Sequence, residues 1–425
     1  MRRFRFSRSV VLSRRWPCSS RLSGPTSSSP HGQRAQFTLL IPFLGALTAL
    51  GPLSNDLYVP SLSLVSEGLG ISAGSVQLTM SSLLIGFSFG ALLYGPLSDR
   101  YGRKPSLCLG LAIYVIAAML SAMSTDLASL VAFRSLQGFG AAAGMVLSRA
   151  IILDRWHDEE ASRALSWVAI FTFITPVLAP IVGGYLASLG HWPMVFWAHA
   201  VAGALCLLVT LTLLPRVRSF RPSTLLNSIR AYGAILGDAQ ALGYMLCTGL
   251  GFIGLVAFVS NSSFVFIEHF GLAPYEYGFC FSFVMLGASV GSYTNGHYVA
   301  QLGISRMIAF GTTILALGGT GTLLAALLDA GVVTLLLAIL LYAFGIGFVF
   351  ANAVARTMSR FPHAKGAASA LFGVNQFLIG GIVAGILSFL DDPSPMPLAV
   401  TMSLAGIGCA AVWWGGLARV APARA

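Results

Sequence analysis

Two charged side chains stand inside long apolar runs, and chemistry is to be sought there first. Asp56 closes a run that begins near residue 37, within Pro52-Leu-Ser-Asn55-Asp56-Leu-Tyr58-Val-Pro60. Arg134 lies inside the run 127–150, followed by Ser-Leu-Gln137-Gly138-Phe-Gly140-Ala-Ala-Ala-Gly144. An ionisable group in apolar surroundings is costly, so it marks proton or substrate handling unless it reaches water. A carboxyl exchanges protons and a nearby guanidinium can tune that exchange; both residues fall in the same half of their runs, so electrostatic coupling between them is expected. The plain alternatives are a wet helix-end aspartate and an arginine snorkelling to the interface from eight residues past Asp126. Around the pair, Asn55, Tyr58 and Gln137 are expected to line a substrate cavity, joined from further along the chain by Asn261, Asn352 and Gln376. Asn295 and Asn375 are further amides in apolar runs, where helix–helix contact is the commoner use.

The elements that must hold these residues are membrane helices. Of 425 residues, 56% are hydrophobic and 9% charged, and mean hydropathy is +0.81. A soluble domain carries about 25% charged residues. Backbone in lipid must satisfy its own hydrogen bonds, and the apolar runs are continuous rather than alternating, which excludes a barrel. A span needs about 20 apolar residues; about twelve such runs occur, near 37–58, 75–97, 105–123, 127–150, 163–188, 193–214, 240–266, 275–297, 305–327, 331–355, 364–389 and 395–417. The expected class is an all-α polytopic membrane protein.

The net charge of +11 does not point to nucleic acid. On this topology 24 of the 25 Lys and Arg fall at one side, all but Arg134. The opposite loops hold Glu67, Asp126, Glu268, Glu276, Asp329, Asp391 and Asp392 and no base. The positive-inside rule then places both termini and the central linker in the cytoplasm. The six Cys (18, 108, 206, 247, 280, 409) show no clustering for a disulfide framework, and no residues stand at metal-ligand spacing, so neither a metal nor a cofactor is expected. Residues 1–35 are rich in Arg and Ser without acids, expected as a disordered cytoplasmic tail or an over-extended start, with an organellar address as the alternative.

A shift of 201 residues aligns the second and eighth runs: Ser81, Gly86, Ser88, Gly90, Gly95 and Gly102 fall on Ser282, Gly287, Ser289, Gly291, Gly296 and Gly303. The expected organisation is a tail (1–35), a six-helix half (36–215), a linker (216–239), a second six-helix half (240–418) and a short C-terminus (419–425). Such parallel repeats suit a transporter that rocks about a midplane site.

Between the second and third runs stands Gly95-Pro-Leu-Ser-Asp99-Arg100-Tyr-Gly102-Arg103-Lys104. Gly95 and Gly102 are expected to permit a tight turn and close helix approach, Asp99 to meet the positive end of a neighbouring helix, and the bases to anchor a gating loop. This string resembles the signature loop of the major facilitator superfamily; in its second-half copy Ala300 replaces the acid. The Arg134 segment resembles that superfamily's fourth-helix motif, which implies a part for Arg134 in proton coupling. Arg149 and Asp154 resemble the charged partner of the loop and are expected to latch with Asp99 when the cytoplasmic side closes. Thr175-Pro176-Val-Leu-Ala179-Pro180-Ile-Val-Gly183-Gly184 resembles the antiporter motif, with Ala179 in place of a Gly, and implies a bent helix packed on a partner.

Within the superfamily, the Asp56 segment resembles the Bcr/CflA (bicyclomycin/chloramphenicol) multidrug exporters. That resemblance implies a drug:proton antiporter in the inner membrane, driven by the proton motive force, with Asp56 exchanging a proton for a small lipophilic substrate; a monomer is expected. The alternative is a proton-coupled exporter or symporter of one metabolite on the same fold. An enzyme fits least: Gly287-Ala-Ser289-Val-Gly291 matches a nucleophile-elbow string but lies inside a span, without the strand–turn–helix setting it needs. There is likewise no phosphate-binding Gly-rich loop with Lys.

Overall fold

The computed structural model describes residues 30–156, 158–214, 225–361, 365–390, 392 and 394–417. In chain order its helices are α1 (Pro30–Asp56), a single 3-10 turn at Val59–Ser61, α2 (Leu62–Leu69), α3 (Ala73–Tyr101), α4 (Arg103–Ala122), α5 (Leu127–Arg155), α6 (Asp158–Ser188), α7 (Pro193–Leu213) and α8 (Leu225–Leu236). Then follow α9 (Ala239–Ser263), α10 (Pro274–Leu302), α11 (Ile304–Leu327), α12 (Gly331–Arg360), α13 (Lys365–Leu387) and α14 (Met396–Val412). Two π turns, Phe264–His269 and Trp413–Leu417, extend α9 and α14. Among the described residues, ten helices are long and apolar enough to span a membrane. The 27-residue α1 and 29-residue α10 stand in the places of the first and eighth expected spans. The helix begins at Pro30, inside the expected tail, and the linker contains α8. The linker bases Arg216, Arg218 and Arg221 and residues 418–425 lie outside the described residues.

The repeat seen in sequence reappears as packing. The Cα atoms of Gly86 and Gly90 on α3 lie against the carbonyls of Ser135 and Phe139 on α5. Their counterparts Gly287 and Gly291 on α10 lie against the carbonyls of Leu340 and Phe344 on α12. A side chain at Gly86, Gly90 or Gly291 would collide with backbone, and one at Gly287 would be crowded by it, so glycine is what permits these crossings.

Each signature string also turns alike. Gly102 (φ 96°) and Gly303 (φ 82°) occupy conformations that suit glycine, and their N–H groups donate to Ser98 O and Val299 O, both at 2.9 Å. The turn is therefore one residue wide. Gly95 and Gly296 lie inside α3 and α10 with no neighbour within 4 Å of an added Cβ. The expectation that Gly95 shapes a turn or a close approach is corrected: α3 runs on through Pro96 and Asp99 to Tyr101, and Gly102 alone makes the turn.

α3 packs on α5 and α4 on α7 in the first half, while α10 packs on α12 and α11 on α14 in the second. Contacts between halves run through α3 with α13 and α6 with α10. They close the Asp56 end of the bundle. Gln77 Nε2 donates to Asn261 Oδ1 at 3.0 Å, and Ser81 Oγ donates to Gly381 O at 2.6 Å. At the opposite, basic end the halves part around a cavity of about 630 Å³, whose walls include Gly95, Asp99, Arg103 and Arg149 from one half and Met358, Ala367 and Gly373 from the other.

Candidate functional site

The last turn of α1 is where the two charged residues meet the rest of the molecule. A helix end leaves carbonyls without amide partners. Here the chain tightens as it leaves α1: the Tyr58 N–H bonds Asn55 O at 3.1 Å, and so does not serve Ser54 O. Arg134 fills the gap, its Nη1 donating to Ser54 O at 3.0 Å and to Gln137 Oε1 at 2.9 Å. A cation at a helix C-terminus is favourable with respect to the helix dipole.

The guanidinium lies 4.5 Å from the Tyr58 ring centroid and 5.6 Å from that of Phe196. Thr79 gives its own hydroxyl proton to Val76 O, so the Tyr58 hydroxyl donates to Thr79 Oγ1 at 2.9 Å. By the same logic Ser54 donates to Leu50 O and accepts from Tyr114 at 2.7 Å. His199 Nε2 lies 3.3 Å from Leu53 O.

Ser54, Tyr58, Thr79, Tyr114, Arg134, Gln137 and His199 are all 0% exposed. Arg134 therefore does not snorkel. An arginine at a span centre costs about 2.5–3.5 kcal/mol on insertion scales. Hydrogen bonds from a charged donor contribute about 1.5–3 kcal/mol each and the ring contacts about 0.5–2 kcal/mol, which offset part of that cost, while Nε and Nη2 have no hydrogen-bond partner among the described residues.

Asp56 is 7% exposed, so it is not a wet helix end. Its Oδ1 accepts from Asn55 Nδ2 at 3.2 Å, and it lies near Tyr277 of α10. The coupling expected between Asp56 and Arg134 does not take the form of an ion pair: ion pairs among the described residues join Arg103 to Asp99, Arg103 to Asp154 and Arg360 to Asp238. Helix geometry gives the reason. Two residues after Ser54, whose side chain meets Tyr114, the helix has turned about 200°. The acid thus faces the second half and the cation serves the first.

The other expected site residues divide. Tyr58 and Gln137 belong to the Arg134 cluster rather than to the cavity wall described above. Asn261 belongs to the closed seam with Gln77, whose part the sequence did not reveal. Asn352 Nδ2 donates to Asn295 Oδ1 and Phe348 O at 2.6 and 2.8 Å, which ties α12 to α10. Asn55 and Gln376 are half-buried.

On α6, Pro176 and Pro180 lie within one uninterrupted helix. Gly183 abuts Leu57 O and Gly184 lies against Pro274 of α10, while Gly278 lies against Pro180 O. The partners of this Gly/Pro segment are thus α10 and the residue after Asp56.

At the basic end Arg103 is the hub. It donates from Nη1 to Asp99 Oδ1 at 2.6 Å and from Nε to Asp154 Oδ2 at 2.8 Å. With this end open, Asp99 and Asp154 are joined through Arg103, and Arg149 stands exposed on the cavity wall. Arg100 lies 5.3 Å from the Tyr101 ring. Lys104 Nζ donates to Leu211 O and Leu214 O at 2.8 and 2.7 Å, a cation on the negative end of α7. No cluster of three or more metal-binding side chains occurs among the described residues.

Comparison with known proteins agrees with this architecture. The chain is 29% identical to the "Bicyclomycin resistance protein homolog" of Haemophilus influenzae, over 87% of this chain and 94% of the relative. It is 31% identical to an "Uncharacterized MFS-type transporter" of Bacillus subtilis over 89% and 95%, and 27% identical to "Multidrug resistance protein D" of Escherichia coli over 88% and 94%. Among solved structures, the xylose transporter XylE of E. coli in a partially occluded inward open conformation superposes with a TM-score of 0.70 at 15% identity, over 90% of this chain and 97% of that one. The nucleoside transporter NupG gives 0.69 at 17% identity, over 90% and 99%. The family model for the Major Facilitator Superfamily matches residues 44–385, and the chain belongs to that superfamily.

Proposed function

We propose that this protein is a proton-coupled exporter of small lipophilic drugs or toxic compounds, working as a monomer by alternating access. It resides in the inner membrane with both termini in the cytoplasm, where the positive-inside rule puts its bases. The observation that carries the reading is Asp56: a buried carboxyl at the seam between halves, on a helix end capped by a buried cation. The names of the bicyclomycin and multidrug relatives support the substrate class.

In the state with the basic end open, substrate enters from the cytoplasm through the cavity beside Arg149. Asp56 then gives up its proton to the inside as substrate binds. Closure at the basic end and parting of the Gln77–Asn261 seam expose Asp56 to the outside, where it is reprotonated as substrate leaves. The Asp99, Arg103 and Asp154 network gates the cytoplasmic side, and the Gly/Pro segment of α6 is the surface on which the outer end rocks. No cofactor takes part; the proton motive force supplies the drive.

The test is uptake of labelled chloramphenicol, bicyclomycin and ethidium into everted membrane vesicles under an imposed pH gradient, acid inside. Gradient-driven uptake by wild type, lost in Asp56→Asn, is the expected result. Absence of gradient-linked movement for every compound would sink the drug reading in favour of a metabolite carrier on the same fold.

A further inference from the structure

We infer that His199 is a positioning residue for proton coupling: together with Arg134 it holds two consecutive carbonyls at the end of α1 and so sets the placement of Asp56. The inference rests on the reading of Asp56 as the coupling acid.

Leu53 and Ser54 lie three and two residues before Asp56. His199 Nε2 reaches Leu53 O at 3.3 Å and Arg134 Nη1 reaches Ser54 O at 3.0 Å. The two donors come from different helices, α7 and α5, so the end of α1 is held at two points within one turn of its acid. A carbonyl oxygen only accepts, which assigns an imidazole proton to Nε2.

The Nδ1 atom has no hydrogen-bond partner among the described residues. The ring is instead fixed by packing, with Phe196 edge-on at 6.0 Å between centroids. A residue kept only for filling space at this site would not need a polar ring. A leucine would fill the space without leaving Nδ1 unmatched, and the imidazole's one polar contact is with the helix that carries Asp56.

Two fluxes in proteoliposomes of the full chain separate positioning from packing. One is gradient-driven uptake; the other is exchange of labelled for unlabelled substrate without a gradient. The probes are chloramphenicol and bicyclomycin. His199→Leu removes the donor and is expected to lower the ratio of driven uptake to exchange about tenfold, the effect of one lost hydrogen bond. His199→Gln, whose carboxamide can donate to the same carbonyl, is expected to restore the ratio to within about threefold of wild type.

Equal loss of both fluxes in His199→Leu, or an unchanged ratio, would overturn the inference. So would a His199→Gln variant whose ratio falls about tenfold below wild type, and because that arm is read against wild type it stands even if leucine prevents folding. Driven uptake that persists in Asp56→Asn overturns the underlying reading separately, whatever the His199 variants do. Absence of flux in wild type overturns both.

Discussion

The two halves share a scaffold and differ in what they place on it. On α5, Arg134 directs a guanidinium to the Ser54 carbonyl of α1. The repeat that matches Ser135 with Leu340 puts Ile339, 1% exposed, in its place on α12. One turn on, Gln137 of the Arg134 cluster corresponds to Tyr342, whose hydroxyl donates to Gly251 O of α9 at 3.1 Å. Each half therefore ties its fourth span to its first with a side-chain donor on a carbonyl, but only the first half uses a charge. The lesson is that duplication copied the crossings, fixed by glycine and backbone, while the buried cation is confined to one copy.

The largest expected break in this comparison comes from making the halves alike. Arg134→Leu should abolish gradient-driven uptake, by at least about a hundredfold, since it leaves Ser54 O and Gln137 without their donor in a dry site. The control Ile339→Leu, apolar for apolar at the matching place, should change uptake less than about twofold, and vesicle uptake of both variants measures the contrast.

Next in size are the shared crossings. Gly90→Val and Gly291→Val should each destabilise the protein by about 1–3 kcal/mol or more through overpacking against backbone. Thermal unfolding in detergent should show similar falls in Tm; a large fall in only one half would break the equivalence.

A smaller effect is expected at the closed seam. Gln77→Ala removes one hydrogen bond, about 0.5–1.5 kcal/mol. It should raise labelling of a cysteine introduced at Asn55 by an impermeant thiol reagent from the outer side several-fold, whereas unchanged labelling would exclude Gln77 from the seal.

The smallest concerns the inner braces. Asp238 accepts from Arg360 at 2.6 Å and caps α9 through the Ala241 N–H at 2.8 Å; the hydrogen bond from Arg360, more than the other contacts, holds its carboxyl below the ordinary carboxylate range. A lowered pKa means stability present above the unfolded value of about 3.9 and lost as pH falls through the lower folded value. Asp238→Asn should therefore flatten the acid limb of stability below about pH 4, measured by detergent unfolding against pH, with little change at neutrality because exposed pairs contribute about 0–1 kcal/mol.

Much of this architecture is legible in the order of residue types. The apolar runs mark the helix positions to within a few residues, and the spacing of Gly86, Gly90, Gly287 and Gly291 marks the repeat, because a close helix crossing demands glycine and leaves a trace in sequence. Arg134 is legible as an anomaly, but its partner is not: Ser54 O is a backbone atom, and no residue type advertises a free carbonyl. His199 is visible only as a histidine in a span. Gln77 and Asn261 lie far apart in the chain, and their pairing depends on how the halves close. Gly95 misleads because a Gly-Pro pair suggests a turn, whereas helical hydrogen bonding carries α3 past it to Gly102.

The opposite facing of Asp56 and Arg134 around one helical turn has a consequence for how such a molecule can change over generations. The neighbours of the cation are drawn from the first half, whereas the acid has Tyr277 of the second half near it. Substitutions that retune the acid can accumulate around Tyr277 on α10 without disturbing the capped helix end. New substrate preferences can thus be acquired on one side of α1 while its anchoring on the other side is inherited intact.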